Sequence, residues 1–148
     1  MRFTRYTDYA LRVLMYLGLR PREELSTIKG IAGRFGISEN HLMKVVHRLG
    51  REGFIETVRG RQGGLRLARD PGEINIADVV RRCEDDMRIV ECFDEDTNTC
   101  PIAAACALPS ILDRALGAFL DVLEGHTLAD LLAPRRALAE ILLPTDQS

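Results

Sequence analysis

Apolar residues recur at helical spacing through the first third of the chain. Ala10, Val13, Leu14 and Leu17 stand at i, i+3, i+4 and i+7, the buried stripe of a helix that Thr7 can cap and Pro21 closes. The spacing returns at Ile28, Ile31, Ala32 and Phe35. Ser26 is the candidate cap there, and Gly30 and Gly33 each cost about 1 kcal/mol relative to alanine. Gly36 permits a sharp turn, Ser38 can cap a third helix, and Leu42, Val45, Val46 and Leu49 repeat the stripe. Two short helices joined by a glycine turn predict a helix-turn-helix. Short strands over 54–58 and 65–68 then flank a tip of Arg59, Gly60, Arg61, Gln62, Gly63 and Gly64. Such a hairpin predicts a wing.

Helical spacing resumes after the wing. Asn75 can cap a helix whose stripe is Ile76, Val79, Val80 and Cys83. Beyond Pro109 a long amphipathic helix carries Leu112, Ala115, Leu116, Phe119, Leu120 and Leu123, and it ends at Gly125. No later strands offer it a sheet to pack on, so pairing with its twin in a homodimer is expected, with part of the stripe folded onto its own chain. Shorter helices are predicted over 127–132 and 137–142, bounded by Pro134 and Pro144. The fold class expected is mainly α with a small β-hairpin: a winged helix-turn-helix over 1–72, a linker helix and cysteine loop over 73–107, and a dimerisation helix with C-terminal helices over 108–148.

The stripe of the third helix leaves Asn40, His41, Lys44, His47 and Arg48 pointing outward. Taken alone, these cationic and hydrogen-bonding side chains fit a solvated face as well as a nucleic-acid contact. The wing favours the contact. Its glycines let backbone approach a phosphate or a narrow groove, and Arg59, Arg61 and Arg66 supply charge.

Length and composition narrow the classes. The 148 residues suffice for one domain with a helical appendage. Hydrophobic residues at 46% and charged residues at 28% argue against disorder, and charge or proline interrupts every long apolar stretch, so no membrane-spanning helix is expected. Asp8 and Arg12 interrupt the first apolar run where a secretory signal needs an unbroken core, so a cytoplasmic location is expected. The net charge of −2 conceals a division: residues 1–82 hold 16 Lys and Arg against 9 Asp and Glu, and residues 83–148 hold 4 against 13. A front half at +7 suits a polyanion. A rear half at −9 suits sensing or subunit contact.

In the reduced compartment expected, the four cysteines are thiols or metal ligands. Cys83 lies on a buried stripe and reads as a small hydrophobe. Cys92, Cys100 and Cys106 stand in a polar, proline-punctuated segment with seven and five residues between them. An odd number in that compartment disfavours a disulfide, and zinc usually takes cysteines two to four residues apart. The wider spacing and the Cys100-Pro101 pair suit an iron-sulfur cluster, leaving one iron site in need of a further ligand. On spacing alone, cluster, zinc and unligated thiols all stay open. No nucleophile with an adjacent base is visible, and His41, His47 and His126 read as surface or DNA-facing groups, so an enzyme is not expected.

Taken in order, YTDYALRVLMYL, ISENHLMKVVHRL, VRGRQGGLRLARDP, INIADVVR and the three cysteines resemble the iron-sulfur winged-helix repressors of the NsrR and IscR types over residues 1 to about 133. The IscR type carries a histidine three residues after the last cysteine, where this chain has Pro109; the NsrR type is similar in its cysteine intervals and in an early aspartate that falls on Asp8. The resemblance implies a homodimer that binds double-stranded operator DNA through Ser38, Asn40, His41, Lys44, Arg48 and the wing arginines. It further implies a 4Fe-4S cluster, or alternatively 2Fe-2S, on Cys92, Cys100 and Cys106, with Asp8 of the other subunit as fourth ligand and nitric oxide as the signal that releases DNA. By its position alone, Asp8 is explained by the helix dipole, and Arg12 one turn later can hold it. Three other readings compete: an IscR-like regulator of cluster supply, a winged-helix protein with structural zinc, and a small electron-transfer or thiol redox protein that leaves the arginine-rich wing unused.

Overall fold

Thr4 rather than Thr7 starts the first helix in the computed structural model, which describes residues 1–143. Both threonines can cap, but Thr4 has extended backbone angles and its hydroxyl accepts the Thr7 N–H, which adds a turn to α1 (Arg5–Leu19). Thr7 becomes a buried helical residue and Asp8 stays in the first turn. Arg20, held extended by the following Pro21, ends α1.

The start of the second helix also shifts. Ser26 is buried and exchanges backbone hydrogen bonds with Leu65, at 2.9 and 2.7 Å, so its backbone belongs to the wing. Thr27 caps α2 (Ile28–Phe35) instead, accepting the Gly30 N–H at 3.0 Å. Gly36 turns the chain at φ +65°, a left-handed conformation that favours glycine. Ser38 caps α3 (Glu39–Arg51) by accepting the His41 N–H, and Leu42, Val45, Val46 and Leu49 are buried as the spacing requires.

Antiparallel strands β1 (Ile55–Val58) and β2 (Gly64–Leu67) pair Ile55 with Leu67 and Val58 with Gly64. A side chain on Gly63 would collide with the Val58 carbonyl, so the tip closes tightly only because glycine stands there. A 3-10 turn over Pro71–Glu73 leads into α4 (Ile76–Cys83), which Asn75 caps as expected. Cys83 ends that helix inside the core.

The long helix α5 (Leu108–Glu124) buries none of its residues. It packs beside α4, and Leu123 reaches the edge of the core. Helices α6 (Leu128–Leu131) and α7 (Arg135–Leu142) return to α1. Thr127 and Asp130 form a reciprocal capping box at the start of α6. Arg135 donates to the carbonyls of Gly18 and Leu19, two acceptors that the end of α1 leaves open. Leu132 packs on Gly18, where a Cβ would come within 2.5 Å of its side chain. Leu128, Leu132 and Leu142 therefore belong to the same core as α1 and α3. Pro144, the expected stop after α7, lies outside the described residues, as does the end of the 108–148 segment.

Candidate nucleic-acid interface and cysteine loop

Packing divides the outward row of α3. Asn40, Met43, Lys44, His47 and Arg51 are exposed and recur at three- and four-residue steps, which makes them one open face. His41 and Arg48 lie on the side turned to α1. The His41 ring stands edge-on to Tyr9 at 4.9 Å, and the Arg48 guanidinium lies 5.7 Å from the Tyr6 ring centroid while bonding Asp85 at 2.7 Å. Asp85 also holds the Arg48 proton more firmly than usual. Ser38 is exposed at the start of the open face, its oxygen engaged as the cap. Met43 and Arg51 are additions to the row expected from sequence. Extending the periodicity by one turn reaches Arg51.

The wing places its cations unequally. Arg59 and Arg61 are exposed at the tip, and among the described residues neither forms an ion pair. Arg66 sits in β2 and bonds Glu56 directly across the hairpin. Its charge is thus partly spent within the wing, whereas the tip charges and Lys44 are open to a polyanion.

Asp8 and Arg12 meet as their i, i+4 spacing suggests. Arg12 donates from Nε and Nη2 to the two carboxylate oxygens at 3.1 and 2.8 Å, a forked contact that fixes the direction of the carboxylate. The guanidinium also lies 5.5 Å from the Tyr9 ring and 6.0 Å from Phe35, so the pair is braced from α1 and α2.

The cysteine loop has little regular structure beyond a 3-10 turn over Glu91–Phe93. Side chains fasten it instead. Arg88 donates to Asp86 and Asp94, the Asp94 carboxylate accepts the Asp96 N–H at 3.1 Å, and Asn98 accepts the Cys100 N–H at 3.0 Å. The Arg88 bonds hold Asp86 below the usual carboxylate range; hydrogen bonds from the Thr97 side chain and the Asp96 backbone, with Arg88, do the same for Asp94. Cys92, Cys100 and Cys106 are free, half-buried thiols. Cys83 differs, since burial pushes its thiol up to about 11. Among the described residues no three His, Cys, Asp or Glu side chains stand close enough to hold a metal ion. The loop cysteines therefore share a segment but not yet a site. Three free, accessible sulfur donors on a stretch without a backbone ladder suit iron by their chemistry, and the buried Cys83 does not.

Residues 3–134 match the model of the Rrf2 family, iron-dependent transcriptional regulators. The chain belongs to that family. It is 51% identical over 142 residues to the HTH-type transcriptional regulator NsrR of Bacillus subtilis, covering 96% of this chain and 97% of the relative. With NsrR of Shouchella clausii the identity is 50%, covering 96% and 95%. IscR of T. potens superposes with a TM-score of 0.72 at 26% identity, over 90% of this chain and 88% of that one. The Rrf2 chain described here is thus an NsrR-type transcriptional regulator with the winged-helix fold, and no enzyme. Among the described residues no helix is long and apolar enough to cross a membrane.

Proposed function

We propose that this Rrf2 protein is a homodimeric, cytoplasmic repressor that binds a two-fold symmetric operator and releases it in response to nitric oxide. The observation that carries the reading is the pairing of two features in one chain: an open cationic face on α3 and the wing tip, and three free thiols on an irregular loop. Asn40, Lys44, His47 and Arg51 contact bases and phosphates in the major groove, while Arg59 and Arg61 enter the minor groove. Ser38, Arg48 and Arg66 are supporting residues because their polar side-chain atoms are already engaged within the chain, and His41 is one because its ring is turned to Tyr9.

Cys92, Cys100 and Cys106 would hold an iron-sulfur cluster, of the 4Fe-4S type, with Asp8 of the other subunit as the oxygen donor. When bound, the cluster would supply iron open to nitric oxide. The chain supplies the rest: Arg12 aims the Asp8 carboxylate, Arg88 with Asp86 and Asp94 shapes the loop, and α4 links the loop to the wing. A second subunit is favoured by Leu108, Ile111, Ala115, Ala118 and Val122 on α5, which are all exposed and alternate by three and four residues in a coiled-coil seam. The division of labour is 1–72 for DNA, 73–107 for the cluster and 108–148 for the dimer, with α6 and α7 bracing α1.

Iron, acid-labile sulfide and zinc analysis of anaerobically purified protein tests the cofactor. Iron and sulfide in equal amounts are expected, with visible absorbance abolished by Cys92→Ala, Cys100→Ala or Cys106→Ala and kept by Cys83→Ala. Stoichiometric zinc without sulfide contradicts the reading.

A further inference from the structure

Three consecutive acidic residues at the head of the cysteine loop each hold a different part of the molecule. Glu84 accepts the backbone N–H and the hydroxyl of Thr4, the cap of α1, at 2.7 and 3.1 Å. Asp85 accepts Nη1 of Arg48 on α3 at 2.7 Å. Asp86 accepts from Arg88, which reaches on to Asp94 within the loop. Just before them Arg82 donates to Glu52, the residue that ends α3, at 2.8 Å. Tyr6 completes the junction, donating its hydroxyl to the Lys44 carbonyl at 2.7 Å while Arg48 lies over its ring. The first turn of α1, the rear half of α3 and the stem of the loop thus meet at one place.

We propose that stem 84–86 is the joint through which the cysteine loop sets the position of α3, with Asp85 as a positioning residue that acts through Arg48. The inference rests on the cluster reading given above. Its physical basis is the asymmetry of the ion pair: the Arg48 side chain is 29% exposed and that of Asp85 is 82% exposed. An exposed pair adds little stability in water, so its main consequence is directional. Tyr6 fixes the Arg48 end against α1, which leaves the Asp85 end as the part that moves when the loop moves. A shift of the stem withdraws Asp85 from Arg48 and alters the pull of Arg82 on Glu52. Both act on the rear half of α3, where His47 and Arg51 must meet DNA in register.

The test measures affinity for operator DNA, and amide hydrogen exchange over α3, for iron-loaded and chelator-stripped protein. Parent, Asp85→Asn and Asp85→Glu are compared. The parent is expected to lose roughly tenfold or more in affinity on stripping, within the usual range of coupling between sites. Asp85→Asn is expected to shrink that ratio at least threefold and to raise α3 exchange in the loaded form toward the stripped level, with the visible spectrum and melting temperature unchanged. Asp85→Glu restores the parent ratio. A parent-like ratio and exchange pattern in Asp85→Asn overturns the joint alone. A parent that binds operator equally well in both forms overturns the cluster reading and the joint together.

Discussion

Cys83 and the three loop cysteines carry the same thiol in opposite settings. Burial raises Cys83 to about 11 from an ordinary value near 9, so at pH 8 it is the neutral, unreactive thiol. Alkylation of cluster-free protein with iodoacetamide at pH 8, read by mass spectrometry, should label Cys92, Cys100 and Cys106 and spare Cys83. Because the folded-state value is the higher one, the contribution of this thiol to stability is complete below about pH 9 and is lost as pH rises toward 11. Melting temperature should therefore fall over that interval, and Cys83→Ser should reduce the fall. Asp8 offers a second contrast. Its carboxylate is fixed by two bonds from Arg12, an arrangement that serves a ligand and a helix brace equally well. As a cluster ligand, Asp8→Ala should shift the visible spectrum without abolishing it and weaken operator binding; as a brace alone, it should cost about 0.5 kcal/mol with the spectrum unchanged.

Elements with a local cause were legible in the sequence. The stripes of α1, α3 and α4 follow from helical spacing, Ser38 and Asn75 are caps as expected, and the glycine-bounded hairpin is the wing. Departures occur where a distant partner decides. Ser26 is withdrawn from its helix by pairing with Leu65, and Thr4 outcompetes Thr7 by one turn. His41 and Arg48 satisfy the outward spacing of α3 yet are turned to Tyr9, Tyr6 and Asp85, residues that periodicity alone does not bring near. On α5 the expected stripe is half-buried at Leu112, Leu116, Phe119, Leu120 and Leu123 and exposed only at Ala115, with Phe119 edge-on to Phe3 at 5.9 Å. The open row from Leu108 to Val122 shares only Ala115 with that stripe, because tertiary packing decides which face of α5 its own chain covers. Ile111 and Val122 are 56% and 65% exposed, so a charge on that row stays in contact with solvent. Ile111→Asp should therefore keep the melting temperature within a few degrees in dilute solution and convert a dimer to a monomer by light scattering. A monomeric parent would remove the proposed seam.

At the scale of the whole molecule, the charge division takes on a structural meaning. The +7 front half forms the open faces of α3 and the wing, and the −9 rear half contributes the stem that grips α1 and α3. The match to NsrR relatives covers 96% of the chain, so both halves lie within it. Sequence spacing groups Cys92, Cys100 and Cys106 as candidate donors, but among the described residues the fold brings no three His, Cys, Asp or Glu side chains together on that loop. Nitric oxide titration of anaerobic, cluster-loaded protein bound to a fluorescent palindromic operator, followed by anisotropy and absorbance together, tests directly whether the cluster controls DNA binding. The visible band should bleach and DNA should be released over the same range of added nitric oxide, with both changes absent in Cys92→Ala; DNA that stays bound after the band has bleached would show that the cluster does not control it.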